Sequence, residues 1–202
     1  MNKTIFMVQH TESEHHLNGH VGAWCNRPLT ETGRQQAFEI GKWLQNEGVG
    51  EGFVMYSSDL TRAAQTAEEI NRSLHLTPVM NELIREVNAG EGNGQTWEWY
   101  DANKIPAPDG YDPDYRPFPD AESDRDLWMR VKPFYEQIIS SPDAKILIVS
   151  HGCLLSFLQA MLMGFDFEDL RKARFNGRSG SISKFTIDAD GRVTTDFVNY
   201  RL

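Results

Sequence analysis

Two cysteines, Cys25 and Cys153, are all that the 202 residues contain. That is too few for a disulfide framework, so the core must come from packing, and the shortage suits a reducing compartment. Long apolar runs are also missing. The N-terminal one is Ile5-Phe6-Met7-Val8, too short for a signal peptide or a membrane span; the expectation is a cytoplasmic protein with no membrane partner. Positive charge is scarce: Lys+Arg 20 against Asp+Glu 29 gives a net charge of −9. A duplex-binding protein carries a basic face, so nucleic acid is not an expected partner. An acidic chain that binds anions must gather its few cations in one place. No Gly-x-Gly-x-x-Gly or Walker loop follows an apolar segment, which excludes the usual nucleotide cradles. What is present is an ordinary globular composition, 40% hydrophobic and 24% charged, with a length that fits one domain over residues 1–202.

Strand-like and helix-like segments alternate along the chain. Residues 4–8 read as a strand buried on both faces, ending at Gln9-His10. Residues 11–29 are polar and read as a loop. Thr30 offers an N-cap to a helix carrying Ala37, Ile40, Gly41 and Leu44. A second strand is expected over 53–57. Ser58 or Asp59 would cap a helix with Leu60, Ala63, Ala67 and Ile70 inward, and a short extended segment would follow at 79–84. Residues 88–121 hold four glycines, five prolines and many aromatics. They cannot form one helix or one inner strand and read as a small irregular lid. A helix from about residue 123, kinked at Pro133, leads to a third apolar strand over 145–150 that stops at His151-Gly152. A buried helix over 154–163 and a terminal hairpin over 181–198 complete the pattern, and that hairpin could pair across subunits in a homodimer. The alternation predicts a three-layer α/β/α sandwich around a mainly parallel sheet.

His10 and His151 each follow an apolar strand, and ligands in such sheets bind beyond the carboxyl ends of the strands. Arg62 stands near the start of the helix after strand 53–57. Free N–H groups and a planar guanidinium there suit a phosphoryl anion. Taken singly, a residue of either kind more often has a surface or structural role, and the paired placement of the two histidines weakens that reading.

Several blocks, in order, carry a family resemblance. Met7-Val8-Gln9-His10-Thr11-Glu12-Ser13, Pro28-Leu29-Thr30-Glu31-Thr32-Gly33, Tyr56-Ser57-Ser58-Asp59-Leu60-Thr61-Arg62-Ala63, Leu83-Ile84-Arg85-Glu86, Pro119-Asp120-Ala121-Glu122-Ser123 and Val149-Ser150-His151-Gly152 resemble the signatures of the histidine phosphatase superfamily, the phosphoglycerate mutase-like proteins. The resemblance implies a metal-independent phosphatase without a cofactor, acting on a small phosphorylated metabolite. It implies His10 as nucleophile, Glu86 as general acid and base, and Arg62 and His151 as holders of the phosphoryl group. Gln9, Thr11, Gly152 and Asn18 are further phosphate-binding candidates, Asn18 displaced by two positions from the family's asparagine.

The chain departs from the pattern at Gln9, where the family has arginine, and at Thr11, where it has glycine. Hydrogen bonds to charged groups contribute roughly 1.5–3 kcal/mol against roughly 0.5–1.5 for neutral ones. Three consequences compete: compensation by Arg27, Arg85, Arg174 or Arg178, a less charged substrate, or a weakened site that only binds phosphate ligands. Phosphoglycerate mutase-type transfer is the alternative within the family. His15, His16 and His20 are expected to line the entrance as partly protonated imidazoles rather than to bind a metal, since Gly19 and Gly22 disfavour a helix there. The lid aromatics Trp97, Trp99, Tyr100, Tyr111, Tyr115 and Phe118 would either stack on a leaving group or cover the sheet.

Overall fold

The computed structural model describes residues 2–172 and 175–202. The elements are β1 (Lys3–Gln9), α1 (Glu14–Leu17), α2 (Glu31–Asn46), β2 (Val54–Ser57), α3 (Thr61–Leu74), β3 (Pro78–Met80), α4 (Trp97–Asn103), α5 (Asp124–Ser140), β4 (Lys145–Ser150), α6 (Gly152–Leu162), β5 (Ile182–Ile187) and β6 (Val193–Tyr200). The six strands form one sheet in the order β3-β2-β4-β1-β5-β6. β1, β2, β3 and β4 are parallel neighbours, while β5 and β6 run antiparallel.

Side-chain alternation along β1 and β4 explains the layers. Ile5, Met7, Ile146 and Ile148 pack with Leu127, Val131 and Phe134 of α5 and Leu158 of α6. Their neighbours Phe6, Val8, Leu147 and Val149 face the other way, onto Ala37, Ile40 and Leu44 of α2 and Ala67 and Ile70 of α3. Strands buried on both faces need an apolar residue at every position, as these have. The result is the expected three-layer α/β/α sandwich.

The structure differs from the sequence reading in three places. Residues 11–29 contain the short helix α1, whose N-cap is Ser13. Leu60, not Ser58 or Asp59, is the N-cap of α3, because Asp59 pairs with Arg85 and Ser58 turns toward His151. Residues 79–84 divide into the end of β3 and a 3-10 turn, Glu82–Ile84, started by the Asn81 side chain. Pro133 lies inside α5, as expected. Pro133 and Met129, one turn earlier, are both exposed, so water can serve the carbonyl that proline leaves without a donor.

Residues 88–121 are irregular apart from α4 and a 3-10 turn, Gly90–Gly92. Their anchor is Phe118, buried under Trp99 and Tyr100 at ring-centroid distances of 5.7 and 5.2 Å. A bridge between His20 and Thr96 ties this segment to the loop after β1. Among the described residues, no helix is long and apolar enough to cross a membrane.

Candidate active site

Adjacent parallel strands deliver their carboxyl ends to one edge of the sheet. Gln9 on β1 pairs with Ser150 on β4, and the His10 N–H donates to the Ser150 carbonyl at 2.8 Å. His10 and His151 therefore leave the sheet side by side, with ring centroids 5.2 Å apart.

The tautomer of His10 is fixed by its neighbours. Nδ1 lies 2.9 Å from the Thr11 carbonyl, which can only accept, so Nδ1 carries the proton and Nε2 keeps its lone pair. Arg62 Nε donates to that Nε2 at 3.1 Å. The buried guanidinium is itself held by the carbonyls of Cys25 and Ala23 at 3.0 and 2.8 Å. Burial, helped by the Arg62 charge, pushes the His10 pKa well below the ordinary histidine value. His151 is lowered in the same way, by burial first and Arg62 second. Ser58 Oγ accepts from the Leu60 N–H and lies 2.8 Å from His151 Nε2. His151 Nδ1 is buried and has no protein partner. A buried polar atom of this kind needs a partner from a ligand or water.

Glu86 follows the 3-10 turn and meets the N-terminus of α6. Its carboxylate accepts from the backbone N–H groups of Val87, Cys153 and Leu154 at 2.9, 3.2 and 3.2 Å. Arg130, which the sequence reading passed over, secures this segment. It donates to the carbonyls of Leu83, Arg85 and Glu86 and forms a fork with Glu122. The Trp24 indole donates to the same Glu86 carbonyl.

A cavity of about 620 Å³ brings together Gln9, His10, Arg62, Glu86 and Gly152, with His151 fully buried beside His10. Two expected phosphate contacts do not reach it. The Thr11 side chain is turned onto α3, 3.3 Å from the Thr66 hydroxyl, and is fully buried. Asn18 is exposed and bonds His20 Nδ1 at 2.8 Å, because the chain turns away at Gly19 with φ of +69°. Of the lid aromatics, Trp97 and Tyr100 line the cavity; Trp99 and Phe118 stack on each other, and the Tyr115 hydroxyl donates to the Ile105 carbonyl. A larger hollow, about 720 Å³, lies beside α2 and the C-terminus and contains none of the histidines.

His15, His16 and His20 line the cavity as expected, but burial opposes protonation of His15 and His16. His15 is held down at about 3 by burial, then by His16 and Arg62. His16 is lowered by burial and Arg62 against the pull of Glu12. A nitrogen from each of His10, His15 and His16 lies within 4.8 Å of the others. A cation there would need the lone pair of His16 Nε2. His16 Nδ1 already accepts the Ser13 N–H at 3.1 Å, so Nε2 carries the hydrogen and donates instead. With Arg62 beside it, this set suits an anion better than a metal.

The arginines proposed to replace the missing one stand elsewhere. Arg85 pairs with Asp59, Arg178 is exposed, and Arg27 is absent from the cavity wall. Arg174 lies outside the described residues. Among the described residues, Arg62 is the guanidinium of this cavity.

The family model described as histidine phosphatase superfamily (branch 1) matches residues 5–199. The chain belongs to this superfamily. Its relatives include "Putative phosphoserine phosphatase 2" of Hydrogenobacter thermophilus, 31% identical over 170 residues, which are 83% of this chain and 82% of that one. A 2,3-bisphosphoglycerate-dependent phosphoglycerate mutase of Bartonella henselae is 30% identical over 214 residues, covering 96% and 97%. In fold, the chain superimposes on the alpha-ribazole phosphatase of Shigella flexneri with a TM-score of 0.81 at 23% identity, over 98% of this chain and 96% of that one. It also superimposes on a mycobacterial glucosyl-3-phosphoglycerate phosphatase, with a TM-score of 0.79 at 23% identity over 98% and 99%.

Proposed function

We propose that this histidine phosphatase hydrolyses small phosphate monoesters through a phosphohistidine on His10, without a metal or cofactor. The observation that carries the reading is the lone pair of His10 Nε2, held in place by the Thr11 carbonyl, beside Arg62 and the unpartnered Nδ1 of His151. In the first step Nε2 attacks phosphorus, the ester P–O bond breaks, and Glu86 hands the leaving oxygen a proton that it takes from the phosphoryl hydroxyl. In the second, Glu86 takes a proton from water, whose oxygen attacks phosphorus as the N–P bond breaks. Arg62, His151, the Gln9 amide and the Gly152 backbone hold the equatorial oxygens, and positioning and charge stabilisation supply most of the catalysis in such transfers. Trp97 and Tyr100 give the leaving-group side an aromatic wall, which suits an alcohol with an apolar part.

The test is release of p-nitrophenol from p-nitrophenyl phosphate. Release that resists EDTA and disappears in His10→Ala is expected, with Arg62→Ala about 10²–10³-fold slower. Exchange between phosphoglycerate isomers would favour the mutase reading, which the Bartonella relative's name supports. No release, with vanadate still raising the melting temperature, would leave a phosphate-binding protein. The absence of a disulfide between Cys25 and Cys153 suits a cytoplasmic setting. β6, at the edge of the sheet, is where a homodimer would pair.

A further inference from the structure

Charge in the cavity identifies which form of the phosphoryl group it takes, a step that rests on the phosphatase reading. Arg62 contributes one positive charge and the Glu86 carboxylate one negative. The α6 N–H groups of Cys153 and Leu154 are engaged by Glu86, whose charge offsets the positive end of that helix. Gln9, where a second guanidinium is the family pattern, is neutral. Its amide is confined between two glycines: a Cβ on Gly152 would lie 3.1 Å from Nε2, and one on Gly177 would lie 2.6 Å from Oε1.

The imidazoles do not replace the charge. The Thr11 carbonyl holds a proton on His10 Nδ1 while the Arg62 Nε–H occupies Nε2, and burial beside Arg62 opposes protonation of His151. A second proton on His16 would set its Nδ1–H against the Ser13 N–H. His15 Nδ1 is held by the Ser13 hydroxyl at 2.6 Å, and burial beside His16 and Arg62 opposes its protonation. The other titratable groups around the cavity are His20 and Glu12 on the loop after β1, Tyr100 on α4 and Cys153 on α6. Arg130 of α5 is paired with Glu122. Among the described residues, Arg62 is the one guanidinium that lines the cavity.

A dianion would therefore leave about two negative charges uncompensated in a partly dewatered space, and a monoanion about one. A monoanion also carries a hydroxyl, which needs an acceptor, and the cavity wall offers the Glu86 carboxylate alongside its neutral donors. We infer that the cavity selects the singly protonated, monoanionic phosphoryl group over the dianion, with Glu86 accepting the ligand hydroxyl and Gln9 serving as the neutral contact that tolerates it.

Calorimetric titration of the unmodified protein with inorganic phosphate and with sulfate, from about pH 6 to about pH 8.5, tests this. Phosphate loses its second proton near neutral pH, and sulfate, of the same shape, stays doubly charged. The phosphate dissociation constant is expected to rise about tenfold per pH unit above neutrality. Sulfate is expected to bind at least about tenfold more weakly than phosphate at low pH, with no pH trend. Gln9→Arg should strengthen sulfate about tenfold, and Glu86→Gln should narrow the phosphate preference. Equal, pH-independent binding of both anions overturns the inference. Sulfate binding that tightens toward acid also overturns it, by showing that an imidazole takes up the charge. Both results leave the p-nitrophenyl phosphate test intact, whereas failure of either anion to bind at any pH would count against both readings.

Discussion

A histidine is a nucleophile only while one ring nitrogen keeps its lone pair, and here two independent contacts protect it. The Thr11 carbonyl takes the proton-bearing side, and the Arg62 guanidinium opposes a second proton. Burial followed by Arg62 keeps the His10 pKa well below its ordinary value, so the free base persists on the acid side. The kcat/KM profile for p-nitrophenyl phosphate should accordingly show no acid limb near about pH 6.5, the value of an unperturbed histidine. A limb at that point, absent from the substrate's own titration, would contradict the assignment. Arg62→Lys keeps a charge but cannot span His10, Cys25 and Ala23 together. The expected loss in kcat/KM is on the order of 10–100-fold, measurable in the same assay.

Elements place these residues through a few close approaches. α2 crosses α3 at Gly41, where a Cβ would stand 2.6 Å from the Ile70 carbonyl oxygen. Backbone cannot yield cheaply, so Gly41→Ala should destabilise by about 1–3 kcal/mol despite the better helix propensity of alanine. Urea denaturation would show a lower midpoint with an unchanged slope. α3 carries Arg62, so a shift of this helix pair should also reduce turnover. Arg130 has the corresponding role on the other side. Its loss would free the 83–86 segment, and Arg130→Met should lower kcat more than it raises KM, because Glu86 would lose its position relative to the leaving oxygen.

At the scale of the whole molecule, clustering neutral imidazoles makes stability depend on pH. In the unfolded chain each histidine takes a proton near about pH 6.5. In the folded chain His10 and His151 resist far below that, and His15 resists down to about 3. Between those limits the unfolded state holds more protons, so this contribution is complete above about pH 6.5 and is lost as pH falls. The melting temperature should decline from about pH 7 to about pH 5, and His15→Asn should flatten the slope; an unchanged slope would mean that His15 is protonated in the fold. The proposed pairing through β6 predicts a dimer in size-exclusion chromatography, dispersed by a proline on that edge.

Apolar blocks, helical spacing and ordered signature segments determined the three-layer fold and the nomination of His10, Arg62, Glu86 and His151, because those depend on neighbours close in sequence. Contacts between distant segments were decided only in three dimensions. Thr11 turned onto Thr66 and away from the cavity, Ser58 became the partner of His151 rather than a helix cap, and Arg130 reached back to the segment that carries Glu86. Gln9 was legible as a missing charge. That no described arginine replaces it followed from where Arg85 and Arg178 ended up, since a long side chain's partner is set by packing and desolvation and not by its place in the sequence.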